Sequence, residues 1–144
     1  MHTSHKQRTA LVVDYDPWER WFTTDVLCGL GYTVVNASNG ATGLRLLEHY
    51  ECDVILVDVS LPELGGPEFL RQLEVMDSTR GIPLILLGTS PEGQPAPAEG
   101  CVSKPLERVR VITEVGRCLH SSVIHANQHR RPGRDNLELF EVSR

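Results

Sequence analysis

A chain of 144 residues, 40% hydrophobic and 23% charged, fits one globular domain with a short appendage. Its net charge of −5 leans away from nucleic-acid binding, which rests on neutralising phosphates. No apolar run is long enough to span a bilayer, and the first residues lack a hydrophobic signal segment, so a cytoplasmic protein without membrane contacts is expected.

Thr9 to Val13 is an apolar, β-branched run ending in Asp14, the pattern of a buried strand. A helix start follows: Asp16 suits the N-cap, Pro17 the first helical position, and Glu19 completes a capping box. Trp18, Phe22, Val26 and Leu30 recur at spacing four and predict its apolar face, with Trp18 and Trp21 as core and rim. Gly29 and Gly31 close it. Tyr32 to Ala37 predicts a second strand, and Asn39-Gly40 turns into a helix carrying Leu44 and Leu47 inward.

Val54-Ile55-Leu56-Val57 is continuously apolar, as expected of a central strand covered on both faces, and it ends in Asp58. After Gly65-Gly66-Pro67 a helix faces Phe69, Leu70 and Leu73 inward. Ile82 to Leu87 predicts a fourth strand opened by Pro83, and Cys101 to Ser103 a short fifth. Leu106, Val109, Ile112 and Leu119 mark the inner face of a last helix.

Strands alternating with helices imply parallel pairing through crossovers, hence a doubly wound α/β sandwich. One unit is weakened. The segment 88–100 is barely long enough for a crossover, and Pro91, Pro95 and Pro97 oppose a regular helix. The fourth helix is therefore expected to be shortened or missing. The domain is expected over 8–120, with 121–144 as an extension or tail. There, Arg130-Arg131-Pro132-Gly133-Arg134 reads as a linker, and Leu137, Leu139, Phe140 and Val142 form an apolar patch that folds back or meets a partner. His125 and His129 stand at helical i, i+4 spacing but lack a third ligand nearby, so they read as solvated. The cysteines Cys28, Cys52, Cys101 and Cys118 form no C-x-x-C pair and read as buried thiols in a reducing cytosol.

In such sheets, sites form beyond the carboxyl ends of the strands where the strand order reverses. Asp14 ends the first strand and Asp58 the third, which are neighbours in a flavodoxin-like order 2-1-3-4-5. Lys104, just past the fifth strand, has the reach to join them. Adjacent carboxylates want a counter-ion, either Mg²⁺ or a lysine ammonium, and the set suits phosphoryl transfer to a carboxylate.

The run of Leu11-Val12-Val13-Asp14, Val57-Asp58-Val59-Ser60-Leu61-Pro62, Gly66 and Lys104-Pro105 resembles the receiver domain of bacterial response regulators. The resemblance covers roughly residues 8 to 120, in order. It implies that Asp58 accepts phosphate from a histidine kinase or phosphotransfer protein. Asp14, Asp58 and the backbone carbonyl of Ser60 would hold Mg²⁺, Lys104 would contact the phosphoryl group, and the Lys104-Pro105 bond would be cis. Such a domain signals rather than turning over substrate.

The sequence departs from that family in three ways. Tyr15 replaces the second of two consecutive acids, which should lower affinity for Mg²⁺; Asp16, one residue on, could compensate through water but also reads as the helix cap. Gly88 falls where a Ser or Thr is usual, and Thr89 restores a hydroxyl only with a one-residue shift. The weak fourth helix and a fifth strand without an aromatic residue reshape the usual output and dimerisation face. Two functions therefore compete: a phosphoaccepting single-domain receiver, and a pseudo-receiver that signals through contacts alone. An unrelated flavodoxin-like enzyme or nucleotide binder would call for a G-x-G-x-x-G or P-loop, and neither occurs. No output module follows the last helix, so output is expected through a downstream protein target or a homodimer.

Overall fold

A computed structural model describes residues 7–62, 66–94 and 97–128, with backbone alone for 66, 67 and 121–128. The chain runs β1 (Thr9–Val13), α1 (Pro17–Gly29), β2 (Thr33–Ala37), α2 (Gly40–His49), β3 (Val54–Asp58), α3 (Gly66–Val75), a 3-10 turn (Asp77–Thr79), β4 (Leu84–Leu87), β5 (Gly100–Val102) and α4 (Arg108–Gln128). The five strands form one sheet in the order β2-β1-β3-β4-β5, all pairs parallel, as expected for the flavodoxin-like fold. Between β4 and β5 the described residues form a turn closed by Gly93 N–H on Ser90 O, and no helix.

Strand periodicity divides the interior into two cores. Ala10 and Val12 of β1 face one side with Leu56, Ile85, Val26, Leu27, Val111 and Val115, under α1 and α4. Leu11 and Val13 face the other with Ile55, Val57, Leu86, Leu47, Phe69 and Leu73, under α2 and α3. Every residue of β3 is buried, which its unbroken apolar run anticipates. β4 begins at Leu84, two residues later than expected, because Pro83 has no N–H for the ladder; its carbonyl still accepts from Ile55 N at 3.0 Å.

The helix faces depart from the expected stripes. On α1 the buried residues are Thr23, Val26 and Leu27, whereas Trp18 (65% exposed), Trp21 (54%) and Leu30 face outward. Each i, i+4 step overshoots a helical turn by about 40°, so a run at strict spacing four rotates off the core. The two tryptophans stack on each other instead, ring centroids 5.1 Å apart. On α4 Val109 is exposed and the fully buried face is Val111, Val115 and Cys118, while Ile112 and Leu119, with Leu106 just before the helix, pack against the core as expected. The thiols likewise divide: Cys52 and Cys118 are buried, Cys101 is half-buried and Cys28 is exposed on α1, all of them free.

The short β5 is tied to α4. Glu114 Oε2 accepts from Cys101 N–H at 3.0 Å, and Arg117 Nη2 bridges Glu114 (2.7 Å) and Glu99 O (2.9 Å). This approach leaves no room at Gly100, where an added Cβ would collide with the Glu114 carboxylate and stand 2.6 Å from Cys118 Sγ. α4 continues to Gln128, past the expected boundary at 120, and no helix among the described residues is long and apolar enough to cross a membrane. His129, the linker 130–134 and the apolar patch 137–142 lie outside the described residues.

Gly100→Ala is expected to destabilise the domain by about 1–3 kcal/mol, the usual cost of overpacking. Chemical denaturation would measure it, and Cys118→Ala in the same chain should recover part of the loss by making room.

Candidate functional site

The sheet order reverses at β1, which pairs with β2 on one side and β3 on the other. Val13 lies opposite Val57 in the register, so Asp14 and Asp58 emerge side by side at the carboxyl ends of the two strands. Asp14 N–H donates to Ala37 O of β2 at 3.0 Å, and Val59 N–H to Leu87 O of β4 at 3.0 Å, which fixes both residues to the sheet. Both are buried, Asp14 at 0% and Asp58 at 2% exposure.

Asp58 Oδ1 collects the Ser60 N–H (3.0 Å), the Ser60 hydroxyl (2.8 Å) and the Lys104 ammonium (3.0 Å). Among the described residues no hydrogen bond falls on its Oδ2. Burial pushes the Asp58 carboxyl up, but the Ser60 amide, Lys104 and the Ser60 hydroxyl outweigh it and hold it below the usual carboxylate range. Asp14 is the opposite case. Burial and the Asp58 charge push it up to about 7, and the Asp16 N–H on its Oδ1 only partly offsets them. Its Oδ2 is buried without a hydrogen-bond partner. Lys104 lies between Asp58 and Glu19, whose Oε1 is 2.7 Å away. Burial works against its charge, but these two carboxylates outweigh burial and raise its pKa.

Lys104 thus reaches Asp58 as the sequence anticipates, across a cis Lys104-Pro105 bond. Asp16 is the N-cap of α1, its Oδ2 accepting from Glu19 N at 2.8 Å. Tyr15 is 61% exposed and does not fill the pocket between the acids. Gly88 follows β4 at φ +96°, and an added Cβ there would press on the Lys104 stem at 3.3 Å. Thr89 donates its hydroxyl to Ser90 O at 3.3 Å. Sequence reasoning missed two contributors, the Ser60 hydroxyl and Glu19. A carboxylate oxygen from each of Asp14, Glu19 and Asp58 falls within 4.8 Å of the others. The sequence fits Glu19 to a capping box, but the Asp16 N–H that its carboxylate would accept is already given to Asp14. The signal that could have found it is spacing: one helical turn past the strand end returns a side chain toward the strand's carboxyl edge.

Comparison with known proteins agrees with this geometry. The family described as "Response regulator receiver domain" matches residues 10–116. The chain belongs to that family. It is 30% identical to Protein PilH of Pseudomonas aeruginosa over 115 residues, covering 76% of this chain and 95% of PilH. It is also 30% identical to the transcriptional regulatory protein GlrR of Escherichia coli K12, covering 83% of this chain but only 28% of GlrR. Among solved structures, the receiver domain of the sensor histidine kinase PA1611 from Pseudomonas aeruginosa PAO1 superposes with a TM-score of 0.71 at 25% identity, over 80% of this chain and 99% of that one. That structure has a magnesium ion coordinated in its active-site cleft.

The raised Asp14 carboxyl gives this receiver domain a pH signature. Asp14 ionises near 3.8 when unfolded but at about 7 in the fold, so its ionisation removes stability as pH rises from roughly 4 through 7. Asp14→Asn keeps the acceptor for Asp16 N–H and cannot ionise. With chelator present, the variant should match the parent near pH 4 and become the more stable of the two by pH 8, read by urea denaturation. A gap independent of pH would show an ordinary carboxyl.

Proposed function

We propose that this receiver domain takes a phosphoryl group on Asp58 from a histidine kinase or phosphotransfer protein and passes the signal on through protein contacts. The observation that carries the reading is the Asp14 carboxylate, fully buried beside Asp58 with Oδ2 unpartnered. A buried anion in that position calls for a cation. An all-oxygen donor set suits Mg²⁺, and Asp14, Asp58 and the Ser60 backbone carbonyl would hold it. The magnesium in the related PA1611 receiver domain supports the same ion here.

When bound, the ion supplies charge neutralisation for the phosphoryl oxygens. Asp58 Oδ2 forms the new O–P bond while the P–N bond to the donor imidazole breaks, its electron pair leaving with nitrogen. Lys104 keeps Asp58 ionised before transfer and is placed to follow the charge onto the phosphoryl oxygens. Thr89 offers a hydroxyl from the loop after β4 by exchanging its bond to Ser90 O. Asp16 is held as the helix cap, its Oδ2 accepting from Glu19 N–H, and takes no part in holding the ion.

Output runs through the face that lacks a helix. A hollow of about 330 Å³ opens there, lined by Thr89, Pro91, Cys101, Val109 and Thr113 among others, and it would take a downstream target or a second copy of the chain. A second reading, a pseudo-receiver that signals without phosphate, is favoured by Gly88, which puts no hydroxyl next to Lys104.

Incubation with acetyl phosphate and Mg²⁺ separates the two readings. The parent should gain one phosphoryl group by intact mass, Asp58→Asn none, and Lys104→Met should label about 100-fold more slowly, as for loss of one electrostatic stabiliser. An unlabelled parent that still binds its target would leave the pseudo-receiver.

A further inference from the structure

We infer that Glu19 is the third carboxylate of the cation site, standing in for the acid that Tyr15 replaces; the inference rests on the phosphoacceptor reading above. The local sequence places Glu19 in the first turn of α1, where a glutamate ordinarily reaches back to the N-cap amide. That amide is occupied, since Asp16 N–H points to Asp14 Oδ1 at 3.0 Å. Glu19 therefore turns toward the strand ends. Its side chain is 26% exposed and its Oε1 lies 2.7 Å from Lys104 Nζ. The carboxylate oxygens of Asp14, Glu19 and Asp58 gather within 4.8 Å of one another.

An acidic cluster alone would be a solvated face. This one is different because Asp14 Oδ2 is fully buried within it and has no hydrogen-bond partner. Neither of the other candidates is available. Tyr15 points to solvent, and the Asp16 carboxylate is committed to Glu19 N–H. Adjacent oxygens around an octahedral Mg²⁺ stand about 3 Å apart, so three oxygens within 4.8 Å of one another would have to draw together, or one would bind through water.

The arrangement also defines what Lys104 does. One ammonium is shared between Glu19 (2.7 Å) and Asp58 (3.0 Å), and Asp14 has no cationic partner among the described residues. With a divalent ion held by Glu19 and Asp14, Lys104 would no longer be needed by Glu19 and would be free to meet the phosphoryl group. Glu19 is thus a tether for Lys104 without the ion and a ligand, direct or through water, with it.

The test is an Mg²⁺ titration of the full chain, followed by calorimetry and by the fluorescence of the stacked Trp18–Trp21 pair on α1, with circular dichroism confirming the fold of each variant. Glu19→Gln should weaken Mg²⁺ about 10-fold or more, in the range for losing a group that orients or holds a metal. Asp16→Asn, an equally good cap, should leave the constant unchanged. Tyr15→Asp added to Glu19→Gln should restore most of the loss. Equal constants for Glu19→Gln and the parent, or a loss carried by Asp16→Asn instead, overturn the role of Glu19 alone. A parent chain with no saturable Mg²⁺ binding overturns the phosphoacceptor reading and the role of Glu19 together.

Discussion

Two carboxylates buried side by side are the constraint around which this domain is arranged. The register that sets Val13 against Val57 makes the proximity of Asp14 and Asp58 a property of the sheet, not of side-chain choice. At an effective dielectric near 20, like charges about 4 Å apart repel by roughly 4 kcal/mol. Burial of the two carboxyls, and after it their mutual repulsion, is what this end of the sheet answers. Ser60 and Lys104 satisfy Asp58, Asp16 N–H satisfies half of Asp14, and the remaining oxygen is left unmet. The fold holds that demand in place with two well-packed apolar layers, so the site cannot relax by moving apart.

Much of this was legible in the sequence, for identifiable reasons. β1, β3 and β4 are unbroken apolar runs because both of their faces are covered, and the residue ending β1 or β3 is conspicuous when it is acidic. Lys104 was legible because it lies just past the last strand, two residues beyond Val102. What the sequence hid depends on contacts between elements. Glu19 fits a capping box locally, and only the competing bond from Asp16 N–H to Asp14 redirects it. The outward turn of Trp18 and Trp21 and the exposure of Val109 follow from where each helix rests on the sheet, which spacing along one helix does not determine.

The segment after β4 shows how a departure from local rules reshapes a surface without breaking the fold. Its described residues form no helix, yet β5 still docks, with Gly88 N–H bonded to Val102 O at 2.7 Å and Glu99 N–H to Leu84 O at 2.9 Å. The bonds that register β5 therefore come from the strands and their flanks, and the crossover is free to vary. A surface that a helix would have covered is left open above Cys101 and beside Val109.

That freedom exposes the flank of a terminal strand, whose unpaired amides are ordinarily a template for another chain. Here β5 is only three residues long, and the carboxylate of Glu114 already occupies the Cys101 amide, held in turn by Arg117. An approaching strand would have to displace a charge-assisted bond before gaining its first ladder bond, and it would have almost no length in which to recover the loss. One glutamate on the last helix therefore occupies the outward amide of this edge and leaves little backbone for another strand to pair with.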